Sequence, residues 1–150
     1  MAASKSIVPG LMVVVALLVL GPIVINLVRG PAQMPGVFDA QYTLAQASDL
    51  SQETGKPMLV LATADWCPPC QKLKRSTMVD PEVVAWLTEN TVPVYLEDGE
   101  NGQEIGSLGV RSYPTMMLIS NGEIITSIQG AVGSSMLMSE LQAKIALITD

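Results

Sequence analysis

The sequence predicts an α/β domain, with a mixed sheet sandwiched between helices, preceded by one long apolar helix at the N-terminus. Three observations predict it. Ile7–Val28 is a 22-residue stretch without a charged side chain. Beyond it, helical and strand patterns alternate, the usual mark of a sheet covered on both faces. Near the end, Asn121-Gly122 lies between two strand-like runs, a strong local hairpin signal.

As a helix, Ile7–Val28 would rise roughly 33 Å at about 1.5 Å per residue, enough to cross a bilayer core. The run is longer than the apolar region of a cleaved signal peptide, and Val28-Arg29-Gly30-Pro31 is a poor cleavage site. An uncleaved signal anchor over residues 1–29 is therefore expected, with the lipid bilayer as its partner. Lys5 and the terminal amine before the run, against Arg29 after it, bias the N-terminus inward. Residues 30–36, rich in Pro and Gly, read as a linker, and the globular domain as residues 37–150. From Asp39 onward there are fourteen acidic and six basic residues, a formal charge of −8. That excludes a basic nucleic-acid footprint.

Within the domain, Thr43 caps a helix to Thr54, with Leu44, Ala47 and Leu50 on one face and Gly55 as its stop. Met58–Ala62 is an unbroken apolar run of strand length, which suits a strand buried on both faces. A helix is expected over Pro68–Val79. Asp80-Pro81 then starts another through Val83, Val84, Trp86 and Leu87. Pro93–Leu96 is a second central strand, and Asn101–Leu108 a short helix. Thr115–Ser120 and Glu123–Gln129 form the hairpin. Ser134–Ile148 closes the domain with Leu137, Leu141, Ile145 and Ile148 on one face.

Chemistry concentrates at Cys67-Pro68-Pro69-Cys70, which directly follows the first strand. The chain has two cysteines and no histidine, too few ligands for a familiar zinc site, so no metal is expected. A structural disulfide closing so small a loop would stabilise little. Thiol–disulfide exchange remains. A helix N-terminus presents free N–H groups and the positive end of the dipole, which favour thiolate over thiol. Cys67 at that end suits the nucleophile, and Cys70, one turn on, the resolving thiol. Pro68 and Pro69 have no N–H, so the Cys70 N–H is the nearest donor left for a Cys67 thiolate. The Cys67 pKa is then only moderately lowered, which points to a reductant.

These residues resemble the thioredoxin superfamily. Trp66-Cys67-Pro68-Pro69-Cys70 is similar to its WCxxC centre, and Tyr113-Pro114-Thr115 to the segment that holds its cis-proline. The resemblance covers roughly Leu44–Ile148. It implies a thioredoxin fold, a cis Tyr113–Pro114 bond, and backbone groups at residue 113 that pair with a substrate segment like an added strand. Gly55-Lys56-Pro57, Ala64-Asp65-Trp66-Cys67, Thr77, Asp80-Pro81 and Val83 look most like the C-terminal (gamma) thioredoxin-like domain of the DsbD reductor. That likeness implies an extracytoplasmic (periplasmic) reductase. Its donor would be a membrane or thiol protein of the DsbD or thioredoxin type, and its acceptors proteins containing disulfides. The Cys67–Cys70 pair itself would be the only redox group, with no further cofactor. The membrane-anchored cytochrome c maturation thioredoxins carry a longer insertion before the cis-proline. Here 43 residues separate Cys70 from Pro114.

Two positions depart from the family. Leu61 stands where a buried acid is common, and Lys74 where DsbD-like domains have a second one. Lys74, four residues past Cys70, could favour a Cys70 thiolate, while its plainer reading is a solvated lysine. Asp65 could shape the field of the site or be a solvated charge. Trp66 is expected beside the site, and Trp86 in the core. Gly130 resembles a family glycine at the active-site surface, where a partner approaches closely. Met116, Met117, Met136 and Met138 read as packing residues. The expected activity is reduction of protein disulfides. A disulfide oxidase or isomerase, or a binding module without catalysis, are the rivals.

Overall fold

In the computed structural model, which describes residues 8–28 and 30–149, the helices and strands follow one another in this order. They run α1 (Val8–Val28), α2 (Leu44–Thr54), β1 (Met58–Thr63), α3 (Pro68–Arg75), α4 (Pro81–Asn90), β2 (Val92–Glu97), α5 (Asp98–Ser107), β3 (Thr115–Ser120), β4 (Glu123–Gln129) and α6 (Ser134–Thr149). Short 3-10 turns lie at Gly36–Phe38 and Thr77–Val79. The chain divides into two compact units, Met1–Pro31 and Ala32–Asp150.

In the first unit α1 forms from a sequence dominated by Val and Leu. Among the described residues, however, no helix is long and apolar enough to cross a membrane, and this corrects the expected single-pass anchor. The bilayer contact and the extracytoplasmic placement built on that anchor are set aside with it. Ile7, Lys5 and Arg29, which bounded the run and set its orientation, lie outside the described residues.

The second unit is built on one mixed sheet in the order β2-β1-β3-β4. β1 pairs parallel with β2 and antiparallel with β3, and β3 pairs antiparallel with β4. β1 is the central strand, and all six of its residues are buried. Its side chains alternate between two cores. Leu59 and Leu61 join Phe38, Leu73, Met78, Leu87, Leu137 and Leu141 on one face. Met58, Val60 and Ala62 join Ala47, Val94, Leu96 and Ile105 on the other. That two-sided burial is why the strand reads as an unbroken apolar run.

Local chemistry sets the ends of most elements. Thr43 and Gln46 form a reciprocal capping box at α2, and Gly55 ends that helix in the left-handed conformation. Asp80 caps α4, accepting from the Glu82 N–H at 3.0 Å, with Pro81 in the first turn. Asn121 and Gly122 both take positive φ, 52° and 79°, as a tight two-residue hairpin turn requires.

Four details differ from expectation. The helix after the cysteines stops at Arg75, because Ser76 leaves helical geometry (φ −121°, ψ −77°) before the turn at Thr77–Val79. α5 begins three residues earlier than expected, at Asp98, with a kink at Asn101. Met136 is exposed rather than packed, unlike Met116, Met117 and Met138. The chain also touches the domain before Val37. The Ala32 N–H donates to the Gln71 side chain, Met34 packs against the core, and Pro35 is buried.

Candidate active site

β1 delivers the chain to the site and then stops. Ala64 is fully buried, and its carbonyl accepts from the Cys67 N–H at 3.2 Å, folding Asp65 and Trp66 outward. Cys67 is the N-cap of α3, with extended backbone (φ −91°, ψ 110°), and Pro68 and Pro69 occupy the first turn. Proline suits these positions, since an N–H there has no helical partner. The Cys70 N–H points at the Cys67 sulfur from 3.2 Å, the one backbone donor that the two prolines leave nearby. Cys67 and Cys70 are joined as a disulfide, their Cα atoms 5.2 Å apart. Cys67 is 3% exposed and Cys70 not at all, so an incoming thiolate meets Cys67 first.

Two aromatic side chains frame the sulfurs. Trp66 is 72% exposed and stands edge-on to Tyr113, ring centroids 5.9 Å apart. Its indole N–H donates to Asp98 Oδ2 at 3.3 Å, and the Tyr113 hydroxyl donates to Asp98 Oδ1 at 2.7 Å. One carboxylate at the start of α5 thus holds rings from two different loops. The hydrogen bond to Asp98 pushes the Tyr113 phenol up to about 12, since ionising it would place two negative charges side by side. Tyr113 also packs against Ala64, Cys67 and Cys70.

Tyr113–Pro114 is a cis peptide bond. The Pro114 carbonyl accepts from the Gly130 N–H at 2.8 Å, which ties this loop to the end of β4. Gly130 has φ 84°, a conformation costly for any residue with a Cβ. Thr115 is buried at the start of β3, paired with Ala62 and Gln129, and its hydroxyl donates to the Ser112 carbonyl at 2.8 Å. Cys67, Cys70, Pro114, Thr115 and Trp66 are therefore drawn together by the ends of β1 and β3 and their loops.

Lys74 corrects its plainer reading as a solvated residue. Its side chain is 0% exposed, and its ammonium donates to Asp65 Oδ1 at 3.0 Å and to the Tyr95 hydroxyl at 3.1 Å. Tyr95 in turn donates to Glu97 Oε2 at 3.0 Å, and the Asp65 N–H donates to Glu97 Oε1 at 2.6 Å. The four residues close a ring that joins α3, the loop carrying Cys67, and the end of β2. Burial, and next the Glu97 charge, push the Tyr95 phenol well above its ordinary value. Leu61, beside Tyr95 in the β1–β2 register, offers no polar group to this ring.

Sequence reasoning missed Tyr95, Glu97 and Asp98. The alternation of β2 does place Tyr95 and Glu97 on one face, opposite Val92, Val94 and Leu96. Nothing local announces that Lys74 meets them there.

The chain matches the Thioredoxin-like family over residues 39–120. It is 31% identical to thioredoxin 2 of Chlorobaculum tepidum over 108 residues, covering 72% of this chain and 94% of that protein. It is 34% identical to the thioredoxin of Porphyra purpurea over 93 residues, covering 60% of this chain and 81% of the relative. Among solved structures, the Thermus thermophilus thioredoxin superposes with TM-score 0.61 at 22% identity, over 68% of this chain and 83% of its own. A structure described as DsbH oxidoreductase gives TM-score 0.63 at 17% identity, over 71% and 83% respectively. The structural likenesses speak to the fold alone. The family match, the sequence relatives and the Cys67–Cys70 disulfide at a helix N-terminus place this chain in the thioredoxin-like family, as a thiol–disulfide oxidoreductase.

Proposed function

We propose that this oxidoreductase works as a reductase of disulfides in other proteins, with Cys67 as the nucleophile and Cys70 as the resolving thiol. The observation that carries the reading is the single backbone donor at the Cys67 sulfur, the Cys70 N–H at 3.2 Å. A helix N-terminus with its full set of donors would stabilise the thiolate strongly and make the disulfide oxidising. Two prolines remove two of those donors, so the dithiol gives up its electrons more readily.

In the reduced form, the Cys67 thiolate attacks one sulfur of the partner's disulfide. That bond breaks, a mixed disulfide forms, and the partner's other sulfur leaves as a thiolate that takes up a proton. Cys70 then loses its proton and attacks the Cys67 sulfur. The Cys67–Cys70 bond forms, and the partner's second sulfur leaves and is protonated. Two electrons and two protons have passed to the partner, and another dithiol protein must restore them. The cysteine pair is the only redox group the cycle needs, with no further cofactor.

Trp66, Tyr113, cis-Pro114 and Gly130 form the surface on which the partner segment lies, extended against the backbone at residue 113. Thr115 holds that loop from beneath. The resemblance of Gly55-Lys56-Pro57 and Ala64–Cys67 to the DsbD gamma domain supports the reducing direction.

The test is the reduction potential of the full chain, equilibrated in dithiol buffers. A value near about −270 mV is expected for a reductant, and one near about −120 mV would make the protein an oxidase. Cys67→Ala is expected to abolish reduction of insulin disulfides. Retention of cellular function by that variant would favour a binding role instead.

A further inference from the structure

Lys74 lies four residues beyond Cys70 on α3, and both side chains are buried. Residues so spaced on a helix stand about 5–6 Å apart at Cβ. A buried ammonium is costly unless hydrogen-bonded and paired. Here Tyr95 and Asp65 accept its hydrogen bonds, and Glu97 Oε2 lies 4.0 Å away. Tyr95 is itself fixed on its other side by Phe38, with ring centroids 5.6 Å apart. The ammonium is therefore held in place by groups that come from outside its own helix.

We propose that Tyr95 and Glu97 are positioning residues that, with Asp65, hold the Lys74 ammonium beneath the redox helix, where it favours the Cys70 thiolate in the resolving step. The proposal rests on Cys70 being the resolving thiol. Cys70 must lose a proton before it attacks Cys67, and a nearby positive charge lowers the cost of the resulting anion. The proton lost by Cys70 is matched by the one that the departing sulfur takes up.

The charged and titratable groups facing this region are Asp65 on the loop, Tyr95 and Glu97 on β2, and Glu100 on α5, with Asp98 and Tyr113 across the disulfide. Asp65 is 55% exposed, so water screens much of its charge. Lys74 is the cation on Cys70's own helix face and is wholly shielded from water.

The experiment uses the reduced full chain and dithiobis(nitrobenzoate). Attack by Cys67 releases one nitrothiophenolate, and resolution by Cys70 releases the second, so a stopped-flow trace separates the two steps. The second phase rises with pH as Cys70 ionises. In Lys74→Met its half-rise is expected to move up by about one pH unit, a roughly tenfold slower resolution at neutral pH. Tyr95→Phe deletes only the bridging hydroxyl and is expected to shift the half-rise the same way, by less. In the Lys74→Met background Tyr95→Phe is expected to add nothing.

A second phase whose pH profile is unmoved in both single variants overturns the ring. A first phase that survives at the wild-type rate in Cys67→Ala instead overturns the assignment of Cys67 as nucleophile. Should Lys74→Met fail to fold, Tyr95→Phe still decides the matter, since it leaves the ring's packing surface intact.

Discussion

Asp98 sits between Trp66 and Tyr113 and takes a hydrogen bond from each, so a single carboxylate sets the spacing of two aromatic rings beside the cysteines. That arrangement has a readable pH signature. The Tyr113 phenol is raised from 10.0 to about 12 in the fold, first by its hydrogen bond to Asp98. Its contribution to stability is therefore complete below about pH 10, where the unfolded phenol is still neutral, and declines as pH rises toward 12. In Asp98→Asn the phenol loses its charged neighbour, and its ionisation is expected to move down toward the ordinary value of about 10. Ultraviolet titration of tyrosinate absorbance checks this. An unchanged titration curve would mean that the carboxylate does not govern the ring.

Elements whose ends are set by neighbours in sequence were the most legible. The Asn121-Gly122 hairpin has the expected bounds, because the positive φ of both residues is a local demand. The capping box at α2 is equally local: Thr43 Oγ1 accepts from the Gln46 N–H at 3.2 Å, and Gln46 Oε1 accepts from the Thr43 N–H at 3.0 Å. Thr43→Ala is expected to cost about 1 kcal/mol of unfolding free energy in urea titration, with thiol exchange unchanged. The break at Ser76 was not legible. It serves a distant need: the Thr77 hydroxyl reaches the Val132 carbonyl at 2.6 Å, and Met78 fills the core. Helical propensity alone carries α3 onward to Val79, and tertiary packing overrides it.

Across the whole molecule, the cysteine pair and the cis-proline could be read from two short motifs because each motif carries its own chemistry. The ring of Asp65, Lys74, Tyr95 and Glu97 could not, since it exists only when a loop, a helix and a strand converge. Lys74 looked like a surface lysine because most lysines are. The apolar N-terminal run misled in the opposite sense, as its composition suggested a membrane span that the described helices do not provide. Leu61 shows what holds the converging elements together. It is fully buried on the face of β1 that packs against Leu73, Phe38 and Met116. Leu61→Ala is expected to lose about 2–5 kcal/mol of stability by opening a cavity under α3. A change in urea midpoint of less than about 1 kcal/mol equivalent would show that the neighbours collapse into the gap.

β1 has paired neighbours on both edges and a packed core on both faces. Its amides are therefore the last to meet solvent, and deuterium reaches them only when the entire domain opens. Their exchange rates become a gauge of global stability that needs no denaturant. Read in the oxidised and then in the reduced protein, the gauge closes a thermodynamic cycle. The difference between the two stabilities is the free energy by which folding strengthens or weakens the Cys67–Cys70 bond. The interior of the sheet thus keeps a record of the electron affinity at its rim.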